Sequence, residues 1–171
     1  NKITNLVFLN YCPVLEKFLY WCQQLIAESL GKKGKGFFPV VSNVPKDHHS
    51  LLQLYLDGPK DKFFYIFSLK EDNRLSGKKG HFKEILNHSN IDRVLQSQKK
   101  AIITILKEKK IPFISIEMRE KNEETIGELF SYFILETILI SESLRINPFN
   151  QPAVEQIKIL TKKNLFKKNQ K

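Results

Sequence analysis

The apolar residues Leu15, Phe18, Leu19, Cys22, Leu25 and Ile26 fall at i, i+3, i+4, i+7, i+10 and i+11, one stripe at the helical period. They predict an amphipathic helix ending at Gly31, where a left-handed C-terminal cap would fall. Gln24 and Glu28, four residues apart, emerge one above the other on the face opposite that stripe. Downstream, short apolar runs alternate with longer helical periods. Residues 37–41 read as a buried strand, and 48–57 as a short helix closed by Gly58-Pro59. Residues 63–67 form the clearest strand, aromatic and continuous as buried parallel strands are. The stretch 70–80 is polar and glycine-containing, the best candidate for a mobile loop. A helical region follows over about 81–110, which the run 87–90 can break. Residues 111–116 are the next strand, with Pro112 near its start, where a ladder donor can be spared. Asn122 is placed to cap a helix running to about Arg145, apolar on several sides through Leu129, Phe133, Ile138 and Leu139. Such a helix fits burial between layers or at an oligomer interface. A turn at 147–150 leads to a final helix over about 151–165, with Pro152 in its first turn. A basic tail follows.

Strands alternating with helices predict an α/β fold, a three-layer sandwich in which a parallel sheet carries helices on both faces. A chain of 171 residues makes one domain. It buries on the order of 70% of its unfolded surface, enough for a core without staples. No repeat or linker divides it. The longest apolar runs are interrupted by Glu136 and Glu142, and none approaches the roughly 20 residues of a membrane span. No membrane partner is expected. Cys12 and Cys22 make no CxxC pair, and Cys22 lies in the apolar stripe, which fits a reducing cytoplasmic setting. The chain opens on Asn1 and its only methionine is Met118, as expected of a piece of a longer protein.

The net charge of +10 raises the question of nucleic acid. The arginines are only Arg74, Arg93, Arg119 and Arg145, so the excess is lysine, which lacks the planar fork used for base reading. The lysines are dispersed, with many in the last dozen residues. A nucleic-acid partner is not expected. A basic surface does attract anionic metabolites such as sugar phosphates.

By pattern alone the Gln24–Glu28 pair reads first as a solvated helix face. Its surroundings change that picture. Gln24-x-x-x-Glu28-Ser29-x-Gly31-Lys32 is similar to the signature of the glucose-6-phosphate isomerase family. Asp47-His48-His49-Ser50-Leu51-Leu52-Gln53-Leu54 resembles a second family stretch, a histidine followed four residues later by Gln-Leu. Phe149-Asn150-Gln151-Pro152-Ala153-Val154-Glu155-Gln156-Ile157-Lys158 resembles the family's C-terminal signature. The resemblance spans Gln24 to Lys158 and implies a SIS (sugar isomerase) domain with a five-stranded flavodoxin-like sheet. This chain corresponds to the second of the family's two such domains.

The implied chemistry is the interconversion of an aldose and a ketose phosphate. A carboxylate moves a proton between neighbouring carbons, a histidine relays a proton to the ring oxygen, and an ammonium helps hold developing charge. By resemblance Glu28 is the base and His49, rather than His48, serves ring opening together with Lys158. Gln24 and Gln151 contact substrate. No cofactor and no metal is implied, and adjacent histidines diverge too far to share an ion. The partners implied are a phosphorylated hexose and a second subunit, with His49 reaching the partner's site. The family's N-terminal domain, with its phosphate-gripping loop and its arginine, is not in this chain. The isolated chain is therefore expected to fold but not to turn over. The other reading is a non-catalytic SIS module that binds a phosphosugar and regulates a partner.

Overall fold

The computed structural model describes residues 2–70 and 88–167. The loop expected over 70–80 (beyond residue 70), the first part of the 81–110 helical region and the last residues of the tail lie outside that range. Four parallel strands, β1 (Asn5–Asn10), β2 (Phe38–Asn43), β3 (Lys62–Leu69) and β4 (Phe113–Met118), pair in the order β2-β1-β3-β4. This is the strand order of a flavodoxin-like doubly wound sheet. The sheet holds four strands among the described residues, not the five expected.

The helices are α1 (Glu16–Leu30), α2 (Lys46–Ser50), α3 (Leu52–Asp57), α4 (His88–Glu108), α5 (Glu123–Leu144) and α6 (Pro152–Lys167). The helix expected over 48–57 is thus two short pieces meeting at Leu51. The strand expected at 111–116 begins two residues later. Lys110, in the left-handed region at φ 54°, and Pro112 occupy the intervening turn.

Residues along each central strand alternate between two cores, as the pleat dictates. Leu6, Phe8, Tyr65 and Phe67 face α1 and α5, where they meet Phe18, Leu19, Cys22, Ile26, Leu129 and Phe133. Val7, Leu9, Phe64 and Ile66 face the other layer and meet Tyr55 of α3 with Leu95, Ile102 and Leu106 of α4. The stripe of α1 accordingly lands where its periodicity placed it, with Leu25 half-buried at its margin. Both cysteines are free and buried.

Helix α5 begins as expected. The Asn122 side chain accepts a hydrogen bond from the Thr125 backbone N–H at 3.0 Å, satisfying one of the orphan donors of the first turn. Only one face of α5 is in the core, however; Leu135 and Leu139 are 61% and 67% exposed. Between those faces Glu136 accepts hydrogen bonds from Tyr65 Oη at 2.9 Å and Tyr132 Oη at 3.2 Å. Burial pushes the Glu136 carboxyl above its ordinary range, and the two hydroxyls only partly offset that. A raised carboxyl binds its proton more readily folded than unfolded. The burial cost is therefore fully present above the folded value and vanishes as pH falls toward the ordinary glutamate range. Glu136→Gln keeps an acceptor for both tyrosines without the charge. It is expected to raise the urea midpoint at pH 7, with the gain shrinking steadily on acidification.

Candidate active site

Helix α1 leads from the carboxyl end of β1 back to the start of β2, so its last turn lies at the amino edge of the sheet. It closes at Gly31, whose N–H bonds the Ala27 carbonyl at 3.1 Å. The expected left-handed cap is not what forms there: Gly31 has φ −75° and ψ 68°. Glycine is required for a different reason, because a Cβ at this position would stand 2.7 Å from the Ala27 carbonyl oxygen. The left-handed residues come just after, Lys33 at φ 54° and Gly34 at φ 69°, in a turn closed by Lys35 N–H to Lys32 O at 2.9 Å. Positive φ at both central positions is the type I′ turn, which Gly34 suits and a lysine enters at a cost.

The other wall comes from the end of α5. There Arg145 takes the left-handed conformation at φ 54°, and the Ile146 N–H returns to the Ser141 carbonyl at 3.0 Å. This is the 6→1 bond of a Schellman ending. Ile146 is tucked into the core, so the exit direction of the chain is set. Two lysines of the loop after α1 then clamp it: Lys32 Nζ donates to Asn147 O at 2.6 Å and Lys35 Nζ to Leu144 O at 2.7 Å. Carbonyls at a helix C-terminus attract cations for the reason the macrodipole gives.

Between these walls lies a cleft of about 490 Å³, lined among others by Glu28, Lys32, Lys33, Asn147, Asn150 and Gln151. Gln24 Nε2 donates to Glu28 Oε1 at 3.0 Å from one turn below, and Gln151 Nε2 donates to Glu28 Oε2 at 2.6 Å from the start of α6. One amide holds each carboxylate oxygen. The half-buried carboxylate is thereby fixed in orientation while each oxygen keeps a lone pair for a proton acceptor's role. Three of the five predicted site residues, Glu28, Gln24 and Gln151, are brought together. Lys32, Lys33, Asn147 and Asn150 join them without having been singled out. The Gly-Lys ending of the first motif and the Asn of the third were the available signals.

Lys158 does not line this cleft. It sits about two turns along α6, roughly 10 Å of axial rise past Gln151, where its Nζ pairs with Glu155 Oε1 at 2.7 Å. Helix α6 is exposed throughout residues 152–166, with Ile157, Leu160 and Leu165 each more than half open to solvent.

His49 is placed elsewhere again. It lies on α2, at the carboxyl edge of the sheet just after β2. Asp47, buried, accepts from the Asn43 N–H at 2.8 Å and from Ser50 Oγ at 3.1 Å. His48 Nε2 meets Tyr11 Oη at 2.6 Å, while the side chain of His49 is exposed and has no hydrogen-bond partner among the described residues. Of the two histidines, His49 is the one available to an outside molecule. The side chain of Asn43 donates to Glu16 Oε1 at 2.9 Å, which puts the first turn of α1 beside α2. Glu28 is twelve residues further, about 18 Å along the axis. His49, on the neighbouring α2, therefore lies toward the first turn of α1, and Glu28 lies in its last.

No family model matches the chain. Curated relatives do. It is 37% identical over 155 residues to the glucose-6-phosphate isomerase of Methanocaldococcus jannaschii, covering 89% of this chain and 38% of that protein. It is 36% identical to a probable glucose-6-phosphate isomerase of Methanococcus maripaludis (87% of this chain, 34% of the relative). It is 34% identical to that of Mycoplasmopsis synoviae (94% and 38%). The chain thus spans little more than a third of the length of these relatives. Among solved structures, a hypothetical protein from Thermus thermophilus superposes with a TM-score of 0.80 at 26% identity, over 95% of this chain and 41% of that one. A glucose-6-phosphate isomerase from Chlamydia trachomatis shares the fold, with a TM-score of 0.75 at 17% identity.

Proposed function

We propose that this chain, homologous to glucose-6-phosphate isomerases along 87% to 94% of its length in the relatives compared, is the C-terminal SIS domain of such an enzyme. The longer protein interconverts glucose 6-phosphate and fructose 6-phosphate. The observation that carries this reading is the Glu28 carboxylate, held by one amide on each oxygen at the mouth of the cleft.

With an open-chain aldose in the cleft, a Glu28 oxygen removes the C2 proton. The C–H electron pair becomes the C1–C2 double bond, and the carbonyl oxygen takes the charge and then a proton, forming a cis-enediol. Glu28 returns its proton to C1 while the C2 hydroxyl gives up its own proton and its oxygen forms the C2 carbonyl, and the ketose results. Gln24 and Gln151 keep the carboxylate facing the reacting carbons, where misplacement by an ångström costs rate steeply. The ring is opened by His49 and Lys158. The separation of His49 from Glu28 within one chain supports the expectation that His49 acts in the site of a second subunit. The phosphate is held by the N-terminal part of the longer protein.

The test is a coupled isomerase assay on the longer protein and on this stretch alone, with the stretch first shown by circular dichroism to be folded. Turnover by the longer protein and silence from the folded stretch is the expected result. Loss of both activities would leave the non-catalytic phosphosugar module as the better reading.

A further inference from the structure

The Tyr11–His48 pair takes no part in the proposed reaction, and His48 immediately precedes His49 on α2. Tyr11 follows the central strand. It is 4% exposed, and its backbone N–H bonds the Phe67 carbonyl at 2.8 Å. It is therefore part of the rigid carboxyl edge of the sheet, at the point where strand order reverses between β1 and β3. Its ring meets the His48 imidazole edge-on, with centroids 5.6 Å apart and planes at 81°. Burial pushes the Tyr11 hydroxyl up and the His48 imidazole down, so both groups are neutral, and the phenol donates to Nε2 in the tautomer that carries its proton on Nδ1.

Helix α2 has five residues, too few to hold its shape by propensity. Its orientation comes from two inward anchors, Asp47 on the Asn43 N–H and His48 on Tyr11. Successive helical side chains diverge by about 100°, so pinning His48 inward is what turns His49 outward. Resting on the functional reading above, we infer that Tyr11 is a positioning residue for ring opening: its hydrogen bond with His48 sets the direction in which α2 presents His49.

The experiment measures the longer protein and its Tyr11→Phe, His48→Gln, His49→Ala and Glu28→Gln variants on ordinary glucose 6-phosphate and on the same substrate deuterated at C2. In Tyr11→Phe, kcat is expected to fall about ten-fold or more, and the primary isotope effect to fall toward one. Ring opening then limits the rate, while proton transfer at Glu28 is unchanged. His49→Ala should show the same collapse. His48→Gln, whose amide oxygen still accepts from Tyr11, should keep the parental isotope effect. A purely structural role would reduce the active fraction and leave the isotope effect where it was. That outcome overturns the inference, as does a Tyr11→Phe enzyme with parental kcat. A His48→Gln enzyme as impaired as Tyr11→Phe overturns it too, by assigning the effect to packing. Activity in the parent that disappears in Glu28→Gln shows the underlying reading intact, so the inference then fails or stands alone. A parent without isomerase activity removes both.

Discussion

Glu28→Gln is expected to lower kcat of the longer protein by about three orders of magnitude, the middle of the range for loss of a positioned general base. The substitution is isosteric and takes away only the capacity to accept a proton from carbon. Its structural cost is small and can be located. Gln24 and Gln151 each donate to one carboxylate oxygen, and a glutamine offers an oxygen to only one of them. One hydrogen bond on a half-buried group is worth about 1 kcal/mol, so folding survives. Substrate affinity depends on other groups and KM should change little, the signature of an interaction used at the transition state. Steady-state kinetics beside a thermal melt separate the two effects. A variant within ten-fold of the parent kcat, at equal folded fraction, would remove Glu28 from the role of base.

Phe133→Ala is expected to cost about 3 to 5 kcal/mol of folding stability. The Phe133 ring is fully buried at the centre of the layer between α1, α5 and the sheet. It meets Phe8, Phe18, Tyr65 and Phe67 with centroids 6.0, 5.9, 5.6 and 5.9 Å away. Those rings come from two strands and a helix that cannot all close on the void. Domains of this size are stable by roughly 5 to 15 kcal/mol, so the loss approaches the whole margin. Leu139→Ala on the open face of the same helix is the control, with a change within about 0.5 kcal/mol. Urea unfolding of the chain at constant pH measures both. A Phe133→Ala loss no larger than that of Leu139→Ala would mean that this aromatic cluster does not hold the layer together.

The two positions show how differently parts of α5 could be read. Its start was plain, because an N-cap bond joins residues three apart and depends on nothing distant. Which face is covered was not, since the helix is apolar on several sides and only the crossover from β4 decides which side meets α1. The same division runs through β1. The run Leu6–Leu9 is four apolar residues long, too short for its period to tell strand from helix. Yet it is the central strand, paired to β2 and β3 along its whole length. The turn after α1 was half legible. The glycine at 31 marked the helix end, but it serves a close approach to Ala27 O, and the left-handed backbone falls at Lys33 and Gly34 instead.

The sequence by itself determined what a single helix can determine. A rise of 1.5 Å and 100° per residue sets Gln24 on Glu28, puts Cys22 and Ile26 inward, and lets Asn122 cap its own helix. Only the tertiary structure decided that Gln151, 123 residues away, closes on the second oxygen of Glu28. It does so because the left-handed ending at Arg145 and the Lys32 and Lys35 clamps aim the chain there. It also decided that His49 stands at the far end of α1 from Glu28. A crossover helix in a parallel sheet must run from one edge of the sheet to the other, which no local spacing records.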